Sequence, residues 1–135
     1  MMIRSSVFDK VGLLPERYFL YFEDVFFCQK IQNSGFTSSL VAKPLVKHFV
    51  SSSFGRVGEN TLTPTKAYYF ARNPLIYIKE ELEGLYKYTG FLGQIFIRLP
   101  FYMYRMTKDK AFNSIPAFLQ GFIDGLRSKH ATDYR

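Results

Sequence analysis

Helical patterns far outweigh strand patterns in this chain, and the imbalance limits the folds that it can form. Helical signals occur in four stretches, near residues 23–34, 63–74, 92–106 and 115–126. Only residues 36–41 and 45–50 have the composition of short strands. Two short strands make a poor self-contained sheet. We therefore expect much of the apolar surface to cover something that the chain itself does not contain.

The clearest helix is predicted for residues 23–34. Asp24, Phe27 and Ile31 recur at helical spacing and share one face. Gly35 follows at the position where a glycine commonly ends a helix. The segment should therefore form one short amphipathic helix.

A later helix has an explicit start signal. Thr63 suits the N-cap and Pro64 suits the first helical position, where no amide hydrogen is needed. Pro74 follows within the same pattern, and an internal proline should kink or end the helix.

Composition narrows the class of protein without deciding its function. The formal net charge is +7, and the chain has 15 Phe, 10 Tyr and no Trp. Such a charge favours anionic partners: nucleic acid, acidic lipid or a phosphorylated substrate. No nucleic-acid-binding motif accompanies it, so we expect no nucleic-acid partner. The lone Cys28 indicates a reducing compartment.

The chain contains no segment suited to cross a membrane. Its longest apolar-rich stretch, residues 91–106, is interrupted by Gln94, Arg98 and Pro100. It is also shorter than the roughly 20 residues that a spanning helix needs. A position on the membrane surface is still compatible with the sequence.

Two adjacent acids, Glu23 and Asp24, stand at the predicted start of a helix and follow a strongly aromatic loop, residues 17–22, called here the aromatic loop. Acidic side chains at this position interact well with the exposed amide groups of the first turn. A carboxylate in an aromatic pocket can alternatively act as a general base toward a hydroxyl. The spacing alone leaves both interpretations open.

The run from Phe8 to Asp24 resembles the segment of family 2, GT-A-type glycosyltransferases in which a Glu-Asp pair leads into the acceptor-side helix. Weaker likenesses follow at Lys30, Gly35, Pro44, His48 with the serines at 51–53, and Tyr69 with Arg72 and Asn73. Residues 118–127 resemble the tail of bacterial rhamnosyltransferase-like members.

The resemblance implies roles for particular residues. Asp24 matches the catalytic base that deprotonates an acceptor hydroxyl, and Glu23 matches an acid that shapes the acceptor pocket. His48 matches a histidine near the metal-bound diphosphate, or is a polar residue at a strand end. The substrate-binding candidates are Tyr21, Arg72, Asn73 and Arg56. For Arg72 and Asn73 the alternative is that they tie their helix to the aromatic loop.

The resemblance also implies an α/β fold: a mostly helical part with a few short strands, from the acceptor side of a GT-A fold. Residues 1–62 would belong to the glycosyltransferase domain and residues 63–135 to a helical extension. Family members carry an additional nucleotide-binding half with an Asp-X-Asp motif for Mg²⁺ or Mn²⁺. No two aspartates here lie two residues apart. We therefore expect the isolated chain to bind no metal and to be inactive.

The implied partners are a nucleotide-sugar donor and a saccharide or lipid-linked acceptor, used in cell-surface polysaccharide synthesis at the cytoplasmic face of the membrane. An oligomer, or a missing N-terminal half, stays open. A different class of function is a non-catalytic membrane-surface or protein-interaction module. Its basis is a set of basic residues among aromatic ones, at Arg98, Arg105, Lys108 and Lys110. Ordinary core packing is the alternative explanation of that pattern.

Overall fold

The structure, a computed structural model, describes residues 2–43 and 62–127. Helical segments follow one another along these residues. They are α1 (Ser5–Val11), α2 (Glu23–Asn33), α3 (Pro64–Glu81), α4 (Gly84–Gly93), a π-helical turn (Gln94–Arg98), α5 (Leu99–Lys108) and α6 (Ser114–Arg127).

The expected α/β fold is wrong for this chain, because no strand occurs in residues 2–43 and 62–127. Residues 36–41 were a predicted strand but are irregular, and the side chains of Leu40 and Val41 are 97% and 61% exposed. A strand is stabilised by a paired neighbour and a buried face. Within the described residues this segment has neither, and the second candidate strand at 45–50 lies outside them.

Helices α1 and α2 form a small core of their own, built from Val7, Val11, Phe27 and Ile31. The predicted glycine stop of α2 is confirmed. Gly35 has φ of 85°, its amide donates to the Gln32 carbonyl at 3.0 Å, and the Phe36 amide donates to the Ile31 carbonyl at 3.3 Å. This pair of bonds is a Schellman motif, which satisfies the last carbonyls of the helix.

Helix α3 is the central element of the structure. It begins as predicted, with Thr63 as N-cap accepting from the Lys66 amide at 3.4 Å. Nearly all of its residues from Lys66 to Ile78 are buried. A helix that is apolar or buried around most of its circumference must be covered on several sides. Its neighbours α4, α6 and the aromatic loop before α2 provide that cover.

The backbones of helices α3 and α6 lie close together because α6 has two glycines, Gly121 and Gly125, where the helices meet. A Cβ added at Gly121 would overlap the Tyr68 carbonyl oxygen, and one at Gly125 would lie 2.7 Å from the Arg72 carbonyl oxygen. Between these glycines the buried Asp124 accepts from the Tyr68 hydroxyl at 3.1 Å. Burial, followed by this hydrogen bond, raises the pKa of Tyr68 to about 12.

Pro74 does not end α3, and another residue replaces the helical hydrogen bond that proline cannot make. Without an amide hydrogen, Pro74 cannot bond to the carbonyl of Phe70, four residues earlier. The guanidinium of Arg98 donates to that carbonyl at 3.0 Å and lies 4.4 Å from the centre of the Phe70 ring. Helix α3 therefore continues to Glu81, and Arg98 connects it to the π-helical turn.

Helices α4 and α5 are joined without a loop through that π-helical turn, so that residues 84–108 form one continuous helical rod. Pro100 is the second residue of α5 and has no amide hydrogen to offer the Phe96 carbonyl. A π turn accommodates such an interruption by widening the helix locally. The predicted helix at 92–106 is confirmed and is longer than expected. The proposed division of the chain between residues 62 and 63 stays a prediction.

The close contact of α3 and α6 can be tested with glycine substitutions. Gly121→Ala should destabilise the protein by about 1–3 kcal/mol, because the added methyl overlaps backbone atoms of α3. Gly93→Ala is the matched control, since nothing lies within 4 Å of its added Cβ. The control should be neutral or stabilising by about 0.5–1 kcal/mol. Urea unfolding followed by circular dichroism measures both, and equal stability of the two variants would contradict the contact.

The compensation of Pro74 by Arg98 can be tested with a double-mutant cycle. Arg98→Met should cost about 1–3 kcal/mol of unfolding free energy, since the Phe70 carbonyl loses its donor. In a Pro74→Ala background the new backbone amide can bond to that carbonyl, so the cost of Arg98→Met should fall by about 1 kcal/mol. Strictly additive effects in chemical unfolding would show that the two residues do not act on the same carbonyl.

Candidate functional site

A strained turn leads into the Glu23-Asp24 pair. Tyr21 and Phe22 have φ values of 65° and 71°, in the left-handed region that bulky residues avoid. Each such residue costs of order 1–3 kcal/mol and persists only where its surroundings impose it. The contacts around this turn therefore determine how α2 begins.

Asn73 of α3 stabilises this turn through hydrogen bonds to its backbone. Its side-chain amide donates to the Leu20 carbonyl at 2.7 Å and to the Tyr21 carbonyl at 3.0 Å, and the residue is fully buried. Arg72 donates to the side-chain oxygen of Asn73 at 2.7 Å and to the Arg17 carbonyl at 3.4 Å. Two adjacent residues of α3 thus hold the backbone of the loop that leads into Glu23 and Asp24.

Arg17 holds the other side of the same loop. It forms ion pairs with Glu80 and with Glu81, the latter at 2.6 Å, near the end of α3. Its guanidinium also lies 4.6 Å from the centre of the Phe26 ring. Tyr18, beside it, is 2% exposed, and burial raises the pKa of this tyrosine to about 12.

Both acids lie in the first turn of α2, where the helix dipole favours negative charge. Asp24 is exposed, and its Oδ1 accepts from the Val25 amide at 2.8 Å. Glu23 is half-buried, and within the described part of the chain its Oε2 is enclosed without a hydrogen-bond partner. Asp24 is thus the acid that meets solvent.

Asp24 borders an open groove of about 540 Å³ between α2 and α3. The groove is lined by Asp24, Val25, Cys28, Gln29, Gln32 and Tyr77. The Tyr77 hydroxyl donates to the side-chain oxygen of Gln29. One carboxylate, two amides and a phenol are groups that hydrogen-bond the hydroxyls of a polar ligand.

The structure brings five of the sequence-predicted site residues into one neighbourhood: Tyr21, Glu23, Asp24, Arg72 and Asn73. Arg72 and Asn73 both bond to the backbone of the aromatic loop. These contacts agree with the alternative in which the two residues tie their helix to that loop. Tyr21 packs its ring edge-on against Phe70, with 4.9 Å between ring centres. Burial, and next the charge of Glu23, raises the pKa of Tyr21. Contact of these residues with substrate stays a prediction.

The remaining predicted residues, His48 and Arg56, lie outside the described residues. Over residues 2–43 and 62–127, no group of three His, Cys, Asp or Glu side chains is arranged to hold a metal ion. His48, the candidate metal residue, is not among the described residues, so the Mg²⁺ or Mn²⁺ that the resemblance implies stays a prediction.

Arg17 and Tyr77 belong to the neighbourhood but were not among the predicted residues. Tyr77 lies one helical turn beyond Asn73, and Glu80 and Glu81 follow after another turn. Periodicity along α3 from Asn73 would have indicated this face. The partnership of Arg17 with two glutamates more than 60 residues away has no local signal.

Comparisons with known proteins give one partial similarity. Two proteins from different strains of Mycobacterium tuberculosis match, and both are named N-acetylglucosaminyl-diphospho-decaprenol L-rhamnosyltransferase. The identity is 38% over 56 residues, which are 42% of this chain and 18% of either relative. The similarity supports a glycosyltransferase-like origin. No family model and no solved structure matches.

Asn73 can be tested as the residue that holds the turn. Asn73→Asp keeps the size of the side chain and its acceptor for Arg72, but removes both hydrogen bonds to the loop carbonyls. We expect a loss of about 2–4 kcal/mol in unfolding free energy. Asn113→Asp, at an exposed position before α6, is the control and should change stability little. Similar stabilities in thermal unfolding would contradict this role of Asn73.

Proposed function

We propose that this chain supplies the acceptor-binding and base-bearing part of an inverting glycosyltransferase. In this reaction Asp24 accepts the proton of an acceptor hydroxyl while the hydroxyl oxygen attacks the anomeric carbon of a nucleotide sugar. The bond from that carbon to the diphosphate breaks, and the nucleotide diphosphate leaves with the bonding electrons. A single displacement inverts the configuration at the anomeric carbon.

The observation that carries the proposal is the position of Asp24. Its carboxylate is exposed at the edge of a groove with polar side chains, while the turn that precedes it is held by Asn73 and Arg17. A base acts efficiently only when its position is set before the substrate arrives. Stored strain in the two left-handed residues also fits a turn that is maintained for function.

The glycosyltransferase-like similarity supports the class of substrate. The relative's name combines rhamnosyl transfer with an N-acetylglucosaminyl diphospholipid, and a net charge of +7 suits an acceptor that carries a diphosphate. We therefore propose a saccharide or lipid-linked acceptor, in cell-surface polysaccharide synthesis at the cytoplasmic face of the membrane. The nucleotide-sugar donor and its Mg²⁺ or Mn²⁺ would be held mainly by the nucleotide-binding half of the full-length enzyme, with His48 near the metal-bound diphosphate.

Acceptor binding by the 135-residue chain tests this assignment directly. A water-soluble short-chain N-acetylglucosaminyl diphospholipid should bind and shift the NMR signals of residues around the groove. Asp24→Ala should weaken binding by about tenfold, the value of one hydrogen bond to a charged group. Asp9→Ala, which removes an exposed acid from α1, should leave binding unchanged. No binding, or equal effects of the two substitutions, would contradict the acceptor site.

The base role has a separate readout. In a longer enzyme that contains this segment, Asp24→Asn should reduce sugar transfer by about 10²–10⁴-fold while donor binding stays intact. The 135-residue chain alone should transfer no sugar. Unchanged turnover in the Asp24→Asn enzyme would remove Asp24 from the mechanism, whatever the result of the binding assay.

A further inference from the structure

One side of the helical rod at residues 84–108 is exposed and apolar. Its large exposed side chains are Leu85, Tyr86, Tyr88, Leu92, Ile95, Phe96, Ile97, Phe101 and Tyr104, called here the apolar strip. Phe96 and Ile97 are 71% and 73% exposed. Single exposed apolar residues are common, but a contiguous strip indicates a surface that meets a partner.

The residues of the strip follow helical spacing on either side of the π-helical turn. Residues 85, 88, 92 and 96 follow each other at three- and four-residue steps, and 97, 101 and 104 do the same. The opposite side, with Arg98, Tyr102 and Met106 also four residues apart, packs on α3 and α6. At 1.5 Å per residue, the strip is roughly 30 Å long.

The cations within the strip's length are turned away from it. From Gly84 to Tyr104 the chain carries only two charged residues, Lys87 and Arg98, and no acid. The Lys87 ammonium donates to the Lys79 carbonyl at 2.7 Å, and Arg98 donates to the Phe70 carbonyl at 3.0 Å. Both charges are therefore directed into the protein, and the outer side of the rod is uncharged.

Positive charge appears where the strip ends. Lys108 and Lys110 are exposed, and Arg105 forms an ion pair with the exposed Asp109 at 3.5 Å. An apolar strip with tyrosines along its length and cations at one end matches a bilayer interface. Apolar groups and tyrosine rings enter at headgroup depth there, and lysines meet lipid phosphates. In the described residues no helix is long and apolar enough to span the membrane.

We propose that the apolar strip lies flat in the interfacial layer of a bilayer that contains anionic phospholipid. The strip inserts its apolar side chains, and the cluster of Arg105, Lys108 and Lys110 binds headgroup phosphates. This proposal does not depend on the function proposed for Asp24, since it rests on different residues on a different element. It would place the protein against a membrane with or without sugar transfer.

Fluorescence provides a direct test because the chain has no tryptophan. In Phe96→Trp, the introduced indole should shift its emission to shorter wavelength when vesicles of phosphatidylglycerol and phosphatidylcholine are added. Leu13→Trp places the reporter at a 79% exposed position in the loop before α2, far along the chain from the strip. Its emission should not change. No shift in Phe96→Trp, or the same shift in both variants, would overturn the proposal.

Vesicle co-sedimentation separates the apolar and electrostatic contributions. The double substitution Phe96→Glu with Ile97→Glu should lower vesicle affinity by at least about tenfold, while Leu13→Glu should not. Replacing Lys108 and Lys110 with glutamine should reduce affinity for anionic vesicles by about fivefold per lysine. Added salt should also reduce that affinity. Circular dichroism should show unchanged helicity in these surface variants.

A second copy of the chain is the competing occupant of the strip. If two copies cover each other, the emission of Phe96→Trp will shift with protein concentration in the absence of lipid. Light scattering will then show a dimer that the double glutamate substitution dissociates. That result would overturn the membrane proposal, whereas a monomer that shifts only with anionic vesicles would support it.

Discussion

The close contact between the backbones of α3 and α6 is the constraint on which the rest of the structure depends. Gly121 and Gly125 allow α6 to approach the carbonyls of Tyr68 and Arg72, and this covers one side of α3. With that side closed, the neighbouring residues of α3 turn their side chains toward the aromatic loop and the helical rod. The buried helix α3 therefore contacts both the aromatic loop and the helical rod.

Two adjacent positions of α3, Asn73 and Pro74, connect the helix to these surfaces in different ways. Asn73 bonds to the loop carbonyls and holds the left-handed turn before Asp24. Pro74 withholds an amide hydrogen, and the freed Phe70 carbonyl draws Arg98 inward. The first connection sets the position of Asp24 at the edge of the groove. The second turns a cation away from the apolar strip.

The candidate site could be predicted in part because its main signals are local. An acidic pair after an aromatic loop marks a helix start, and a glycine marks the stop of that helix. The pairing of Arg17 with Glu80 and Glu81 could not be found in this way, because it joins residues far apart in sequence. The strand expected at 36–41 failed for a related reason, since strand formation depends on a pairing partner and a buried face rather than on composition.

The sequence by itself determined the start of α3 at Thr63 and the stop of α2 at Gly35, because caps act through neighbouring backbone groups. It also determined the cationic, aromatic character of the chain. Only the tertiary structure decided that Arg72 and Asn73 support the loop, that Asp24 faces an open groove, and that Lys87 and Arg98 turn inward. Those outcomes depend on which carbonyls the folded chain places within reach of a long or polar side chain.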